Sequence, residues 1–152
     1  WLKTTTTSSA QVALAQGSVG RTASYIGYNN AQTGWVWTVD ESATFAKSDA
    51  DATINTWTHV CGTYSAARTP KSILFINGVA QTQTAAGTSA EGTVRRIGAS
   101  TATAAGSKFN GSLDDLRVYN RALQPSEIAL LAAGHSPETK IMAGTFYQSI
   151  IQ

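Results

Sequence analysis

Short apolar stretches recur along the chain at residues 12–14, 24–28, 34–39, 57–64, 72–76, 94–98 and 113–119, each rich in Val, Ile, Tyr or Trp and separated by turn-forming residues. Their even spacing predicts strands of a β-sandwich or barrel, because β-branched and aromatic side chains suit the pleated, half-buried surface of a sheet. Between residues 71–76 and 79–84 lies Asn77-Gly78. Both residue types tolerate a positive φ, so the pair predicts a tight type I′ hairpin. Residues 83–92 and 99–107 are rich in Ala, Thr, Gly and Ser. They read as loops, since they carry too little apolar surface to offset the entropy of ordering them.

One helix stands out at residues 125–133. Pro125 opens it, Glu127 lies near the positive end of its dipole, and Gly134 stops it. Ile128 and Leu131 share a face, which predicts packing against the sandwich. The uncharged, β-prone stretch 145–151 predicts an extra strand that pairs with something.

Composition narrows the class. With 152 residues, 42% hydrophobic and 13% charged, the chain predicts one domain with a sizeable core. A surface rich in Thr, Ser and Ala suits an all-β extracellular protein. The 11 Lys and Arg against 9 Asp and Glu leave a net charge of +2, and Arg95-Arg96 is the one adjacent basic pair. That scatter argues against nucleic acid or an anionic membrane surface as partner. No apolar run approaches the ~20 residues of a membrane span. The chain opens on Trp1 with no signal-peptide pattern and reads as a piece of something longer. Cys61 is the sole cysteine, so an internal disulfide is excluded; its neighbours read as a strand and Cys61 itself as a packed small hydrophobe.

Three phrases, in order, carry a family resemblance: Trp57-Thr58-His59-Val60-Cys61-Gly62-Thr63-Tyr64; Leu74-Phe75-Ile76-Asn77-Gly78; and the run from Phe109 through Leu113-Asp114-Asp115-Leu116-Arg117-Val118-Tyr119 to Leu123 and on to Glu127-Ile128. Together they resemble the laminin-G-like, concanavalin-A-like jelly-roll domains of bacterial surface proteins. The resemblance implies an all-β fold, two antiparallel sheets packed as a sandwich with one short C-terminal helix. It spans residues 1–134, with residues 135–152 as a tail. Trp1-Leu2-Lys3-Thr4 is similar to a strand found inside such domains, so N-terminal strands are expected to be missing. An incomplete sandwich exposes backbone and core. The gap is expected to be covered by upstream chain, by the tail, or by strand addition from a neighbour.

Several residues are candidates for chemistry. Strand parity places Asp114 with Leu116 and Val118 on the inward row, where a carboxylate needs a partner. In related jelly rolls an acid at this position ligates structural calcium; the alternative is a hydrogen-bonded structural Asp. Asp49 and Asp51 offer oxygens to a cation or to solvent. Tyr28, Asn30, Trp35 and Trp37 are candidate glycan-binding residues, the rings as flat apolar faces and the amide as a hydrogen-bonding group; the alternative places both Trp rings in the core. Asn110-Gly111-Ser112 matches an N-glycosylation pattern.

Catalysis is not expected. No Glu-x-Asp-x-Glu row of the kind this architecture uses for glycoside hydrolysis occurs among the acids. His59 and His135 are the only histidines, the first in a strand and the second in a turn, and neither builds a triad or zinc site. The expected role is an extracellular or cell-surface recognition and adhesion module binding glycans or surface proteins. The competing role is a subunit of a surface filament or pilus that self-associates through strand addition.

Overall fold

A computed structural model describes residues 1–18, 21–39, 45–87, 92–101 and 107–134. His135, the stretch 145–151 and the rest of the tail lie outside the described residues, as do Asp40, Glu41, Glu91, Glu138 and parts of the two loops expected at 83–92 and 99–107. The elements are β1 (Leu2–Thr4), β2 (Gln11–Ser18), β3 (Arg21–Asn29), β4 (Gly34–Thr38), β5 (Ala46–Lys47), β6 (Val60–Tyr64), β7 (Ser72–Ile76), β8 (Val79–Ala80), β9 (Val94–Ile97), β10 (Gly111–Leu113) and α1 (Pro125–Gly134).

β5-β4-β3-β2-β9 make one antiparallel sheet and β6-β7-β8 another. β1 pairs with β10 and is tied to the second sheet by reciprocal backbone bonds between Leu2 and Thr58, 2.9 and 2.8 Å long. The result is the antiparallel two-layer sandwich expected from the strand pattern. Ala13, Ile26, Tyr28 and Trp35 from the first layer meet Leu2 and Leu74 from the second. Trp37 crosses between layers, its Nε1 donating to the Thr63 carbonyl at 3.2 Å. A Cβ on Gly62 would overlap the Trp37 ring, so the close approach of the two layers at this point requires glycine.

Local signals set the connections. Asn77 and Gly78 have φ of 49° and 83°, the two positive values that a type I′ turn demands, and they join β7 to β8 as expected. At the start of α1, Glu127 accepts the Gln124 N–H at 2.7 Å and the Arg121 guanidinium through both carboxylate oxygens. This is the glutamate half of a capping box, reinforced by a fork-shaped ion pair. Ile128, fully buried, packs with Phe75 and Leu123, while Leu131 packs at the edge of that cluster. The helix therefore covers the face of β6-β7-β8 that points away from the main core.

The strand expected at 113–119 is corrected. Only Gly111–Leu113 pairs, with β1, in the register Leu2 opposite Leu113. Leu2 is buried and Leu113 packs against the core, so the inward row is that of Leu113 rather than that of Asp114, Leu116 and Val118. Asp115 then turns the chain with a φ of 50°, and Leu116, Val118 and Tyr119 are exposed. The sequence favours a strand here, but a strand needs a neighbour to hydrogen-bond, and among the described residues none lies alongside.

Candidate functional site

The residues singled out as ligand-binding separate into core and rim. Tyr28 and Trp35 are cross-strand partners on β3 and β4, each only 2% exposed, and their rings meet edge to face at 6.0 Å. Phe109 stacks on the other side of Trp35 at 6.4 Å. These rings offer no face to a ligand, which corrects the sugar-platform reading for Tyr28 and Trp35. Alternation places Trp35 and Trp37 together on the inward face of β4, and burial of large rings there is what stabilises the sandwich. Trp37 is half-buried against Gly62. Asn30 is exposed in the β3–β4 turn, where the Asn29 side chain accepts the Ala31 and Gln32 N–H groups at 3.0 and 3.2 Å.

Asn30 belongs to a loop-rich end of the molecule. The Tyr28 hydroxyl donates to Asp51 at 2.9 Å, and Asn55 donates its N–H to the Thr4 carbonyl at 2.7 Å. These bonds gather the β1–β2 loop, the β3–β4 turn and the segment 48–57 into one rim. Its exposed groups include Thr5, Ser8, Asn30, Asn55 and Thr56, uncharged hydroxyls and amides. Thr33 and Asn55, with φ of 52° and 58°, are non-glycine residues held in the left-handed region, and both lie in this rim. For a β-branched threonine that conformation is strained, and such strain tends to collect where loops are shaped for a ligand. Nothing in the strand pattern could have revealed it.

The carboxylates are occupied by the protein. Asp49 accepts the Thr82 hydroxyl at 2.6 Å and its N–H at 3.0 Å; Asp51 accepts Tyr28 and the Ala52 N–H at 2.7 Å. Asp114 accepts the Asp115 N–H at 2.7 Å, and its backbone groups bond to Trp1 at 2.7 and 3.0 Å. Calcium takes six to eight oxygens. Asp114 has part of its oxygen capacity committed to the backbone, and no group of three or more His, Cys, Asp or Glu converges among the described residues. The calcium fit implied by the jelly-roll resemblance is therefore not met by this donor set. Asn110, the glycosylation-pattern residue, accepts the Thr5 hydroxyl at 2.9 Å just before β10.

A cleft of about 470 Å³ opens between the layers beside β6, with Ile26, Trp37, His59, Val60, Leu123 and Leu131 among its walls. His59 lies edge-on to Trp1 at 5.3 Å, and its Nδ1 is buried without a hydrogen-bond partner. Burial, aided by the nearby chain-terminal ammonium, lowers its pKa from 6.5 to about 4, so the ring is neutral at physiological pH. Burial pushes the Cys61 thiol up to about 11. A thiol so rarely ionised is a poor nucleophile.

Residues 1–129 match the profile of the concanavalin A-like lectin/glucanase superfamily. The chain belongs to this superfamily. A similar solved fold is the native heptameric SAP-like pentraxin from Limulus polyphemus, with a TM-score of 0.68 at 18% sequence identity. The match covers 86% of this chain and 66% of the pentraxin chain, so this chain spans just under two thirds of that relative's length. At this identity the likeness concerns the jelly-roll fold alone. No curated protein matches the sequence significantly. The superfamily includes both lectins and glucanases, so membership leaves binding and catalysis to be argued from the residues. Among the described residues no helix is long and apolar enough to cross a membrane.

Proposed function

We propose that the chain is a non-catalytic recognition module of an extracellular or cell-surface protein, binding glycans or surface proteins through the rim formed by the β1–β2 loop, the β3–β4 turn and segment 48–57. The observation that carries this reading is the rim's chemistry. Thr5, Ser8, Asn30, Asn55 and Thr56 present hydroxyls and amides on loops anchored by the rigid Tyr28–Trp35 core beneath. Such groups match the alternating donors and acceptors of sugar hydroxyls, and loops on a rigid sheet are where recognition usually resides. The non-catalytic part rests on Asp49 and Asp51, whose carboxylates hold loops together. Glycoside hydrolysis needs two carboxyl groups facing each other across the scissile bond.

The alternative role, a subunit of a surface filament or pilus, draws support from β6, which is an edge strand among the described residues and so a place for a neighbour's strand to add. An oligosaccharide array separates the two, run beside sedimentation of the same preparation. The recognition reading expects a monomer that retains particular oligosaccharides, and expects Asn30→Arg to abolish retention with the thermal midpoint unchanged. Retention unaffected by Asn30→Arg moves the site off the rim; no retention together with polymers in sedimentation favours the filament.

A further inference from the structure

Residues of β1 alternate between two environments. Leu2 and Thr4 are buried, so Lys3 between them points out of the sandwich. On one flank Leu2 and Thr58 exchange both backbone hydrogen bonds. The next pair along, Lys3 and Trp57, is therefore a non-hydrogen-bonded pair, the kind whose side chains stand closer together. The Lys3 ammonium accordingly lies over the Trp57 ring, 4.8 Å from its centroid. On the other flank Lys3 stands opposite Ser112. One step further Thr5 donates its N–H to the Asn110 carbonyl at 3.0 Å and its hydroxyl to Asn110 Oδ1 at 2.9 Å. Trp57, Lys3 and Ser112 thus make one row across the outer face, with Thr5 and Asn110 beside it. Thr5, Asn110 and Ser112 are exposed, and Lys3 and Trp57 are half-buried.

Among the described residues no carboxylate pairs with Lys3. Asp115 holds Arg117, Glu127 holds Arg121, and Asp114, two residues beyond Ser112, accepts the Asp115 N–H. The ring takes one side of the ammonium and leaves N–H donors on the other. Because Asn110 Oδ1 is turned to Thr5, the amide NH2 of Asn110 is left to donate elsewhere. We propose that this row is the charged flank of the rim's glycan site and takes a sugar residue that bears a carboxylate. The carboxylate sits on Lys3 Nζ, the C–H face of the sugar lies against the part of the Trp57 indole that Lys3 leaves uncovered, and its hydroxyls bond Ser112 and the Asn110 amide. The row holds one cation, so a group with one negative charge matches it better than a phosphate with two. This inference rests on the glycan reading of the rim and adds the class of sugar, held without a metal ion.

The test is an array of sialylated, uronate-containing, sulfated and neutral oligosaccharides, read with a chelator present, followed by titration of the retained sugars. Carboxylate-bearing sugars are expected to be retained. Reducing their carboxyl group to an alcohol, or making Lys3→Gln, which keeps the stem over Trp57, should weaken binding at least about tenfold with the thermal midpoint unchanged. Lys3→Arg should restore most of it. Raising salt from about 0.05 to 0.5 M should weaken binding to the native chain and leave the residual binding of Lys3→Gln almost unmoved, a response that a merely structural lysine would not give. Retention of neutral sugars alone, acidic sugars bound equally well by Lys3→Gln, or sulfated sugars retained in place of carboxylated ones would each overturn this inference and leave the glycan reading standing. Binding abolished by the chelator would assign the acid to a metal ion instead. No retention of any oligosaccharide overturns the glycan reading and this inference with it.

Discussion

Acidification should destabilise this fold through His59. The ring is 9% exposed, lies edge-on to Trp1, and leaves Nδ1 without a partner. Burial is the main cause of its lowered pKa; the terminal ammonium and Arg117 add to it, and Asp115 opposes it. The folded-state value is about 4 and the unfolded value 6.5, so between these pH values the unfolded chain binds a proton that the folded chain refuses. Stability is therefore fully present above 6.5 and is lost as pH falls towards 4. The fall from 6.5 to about 4 corresponds to about 3 kcal/mol in all, most of which is gone at pH 4.5. Urea unfolding at pH 7.5 and 4.5, for the native chain and for His59→Gln, isolates this contribution, because the two proteins differ only at this ring. The native chain should lose about 2 to 3 kcal/mol more than the variant between the two pH values. Equal losses in the two proteins would refute the argument that burial of this ring governs its protonation.

Gly62→Val places a side chain where the Trp37 ring lies, so urea unfolding should show a loss of about 1–3 kcal/mol or more, against almost none for Gly134→Ala, where nothing lies within 4 Å. Equal losses would mean that the layers part easily at that point. Trp35→Ala should cost about 3–5 kcal/mol by thermal unfolding, whereas Tyr28→Phe, which removes the hydroxyl that bonds Asp51 and leaves the ring, should cost about 0.5–1.5 kcal/mol. The reverse order would move the rings out of the core. Millimolar calcium followed by a chelator should leave the thermal midpoint unmoved, since Asp114 is engaged with the backbone and no acidic cluster surrounds it among the described residues. A reversible rise of several degrees, lost in Asp114→Asn, would restore Asp114 as a ligand.

Much of the scaffold follows from local chemistry. Asn77-Gly78 can take two positive φ values with little strain, so the β7–β8 hairpin is written in two residues. Pro125 and Glu127 open the helix in the same local way, and Ile128 marks the side that is buried. Period-two alternation is also local, which is why Trp35 and Trp37 could be assigned to one face of a strand.

Which face points inward is not local. Leu113 and Asp114 are neighbours in sequence, and the pattern 113–119 reads as a strand with either row inside. Only pairing with β1, which sets Leu2 against Leu113, chose the row. Whether the strand extends to Tyr119 depended on a neighbour more than a hundred residues away in the chain, because a strand's backbone is satisfied by another strand and not by itself. Carboxylates behave alike in this respect. The sequence lists Asp49, Asp51 and Asp114 as acids, but Thr82, Tyr28 and the Asp115 N–H reach them only once the sheets are assembled. The sequence alone determined the all-β class, the hairpin, the start of the helix and the family. The tertiary structure decided which rings are core and which polar groups form the rim, because burial and hydrogen-bond partnership depend on the whole chain.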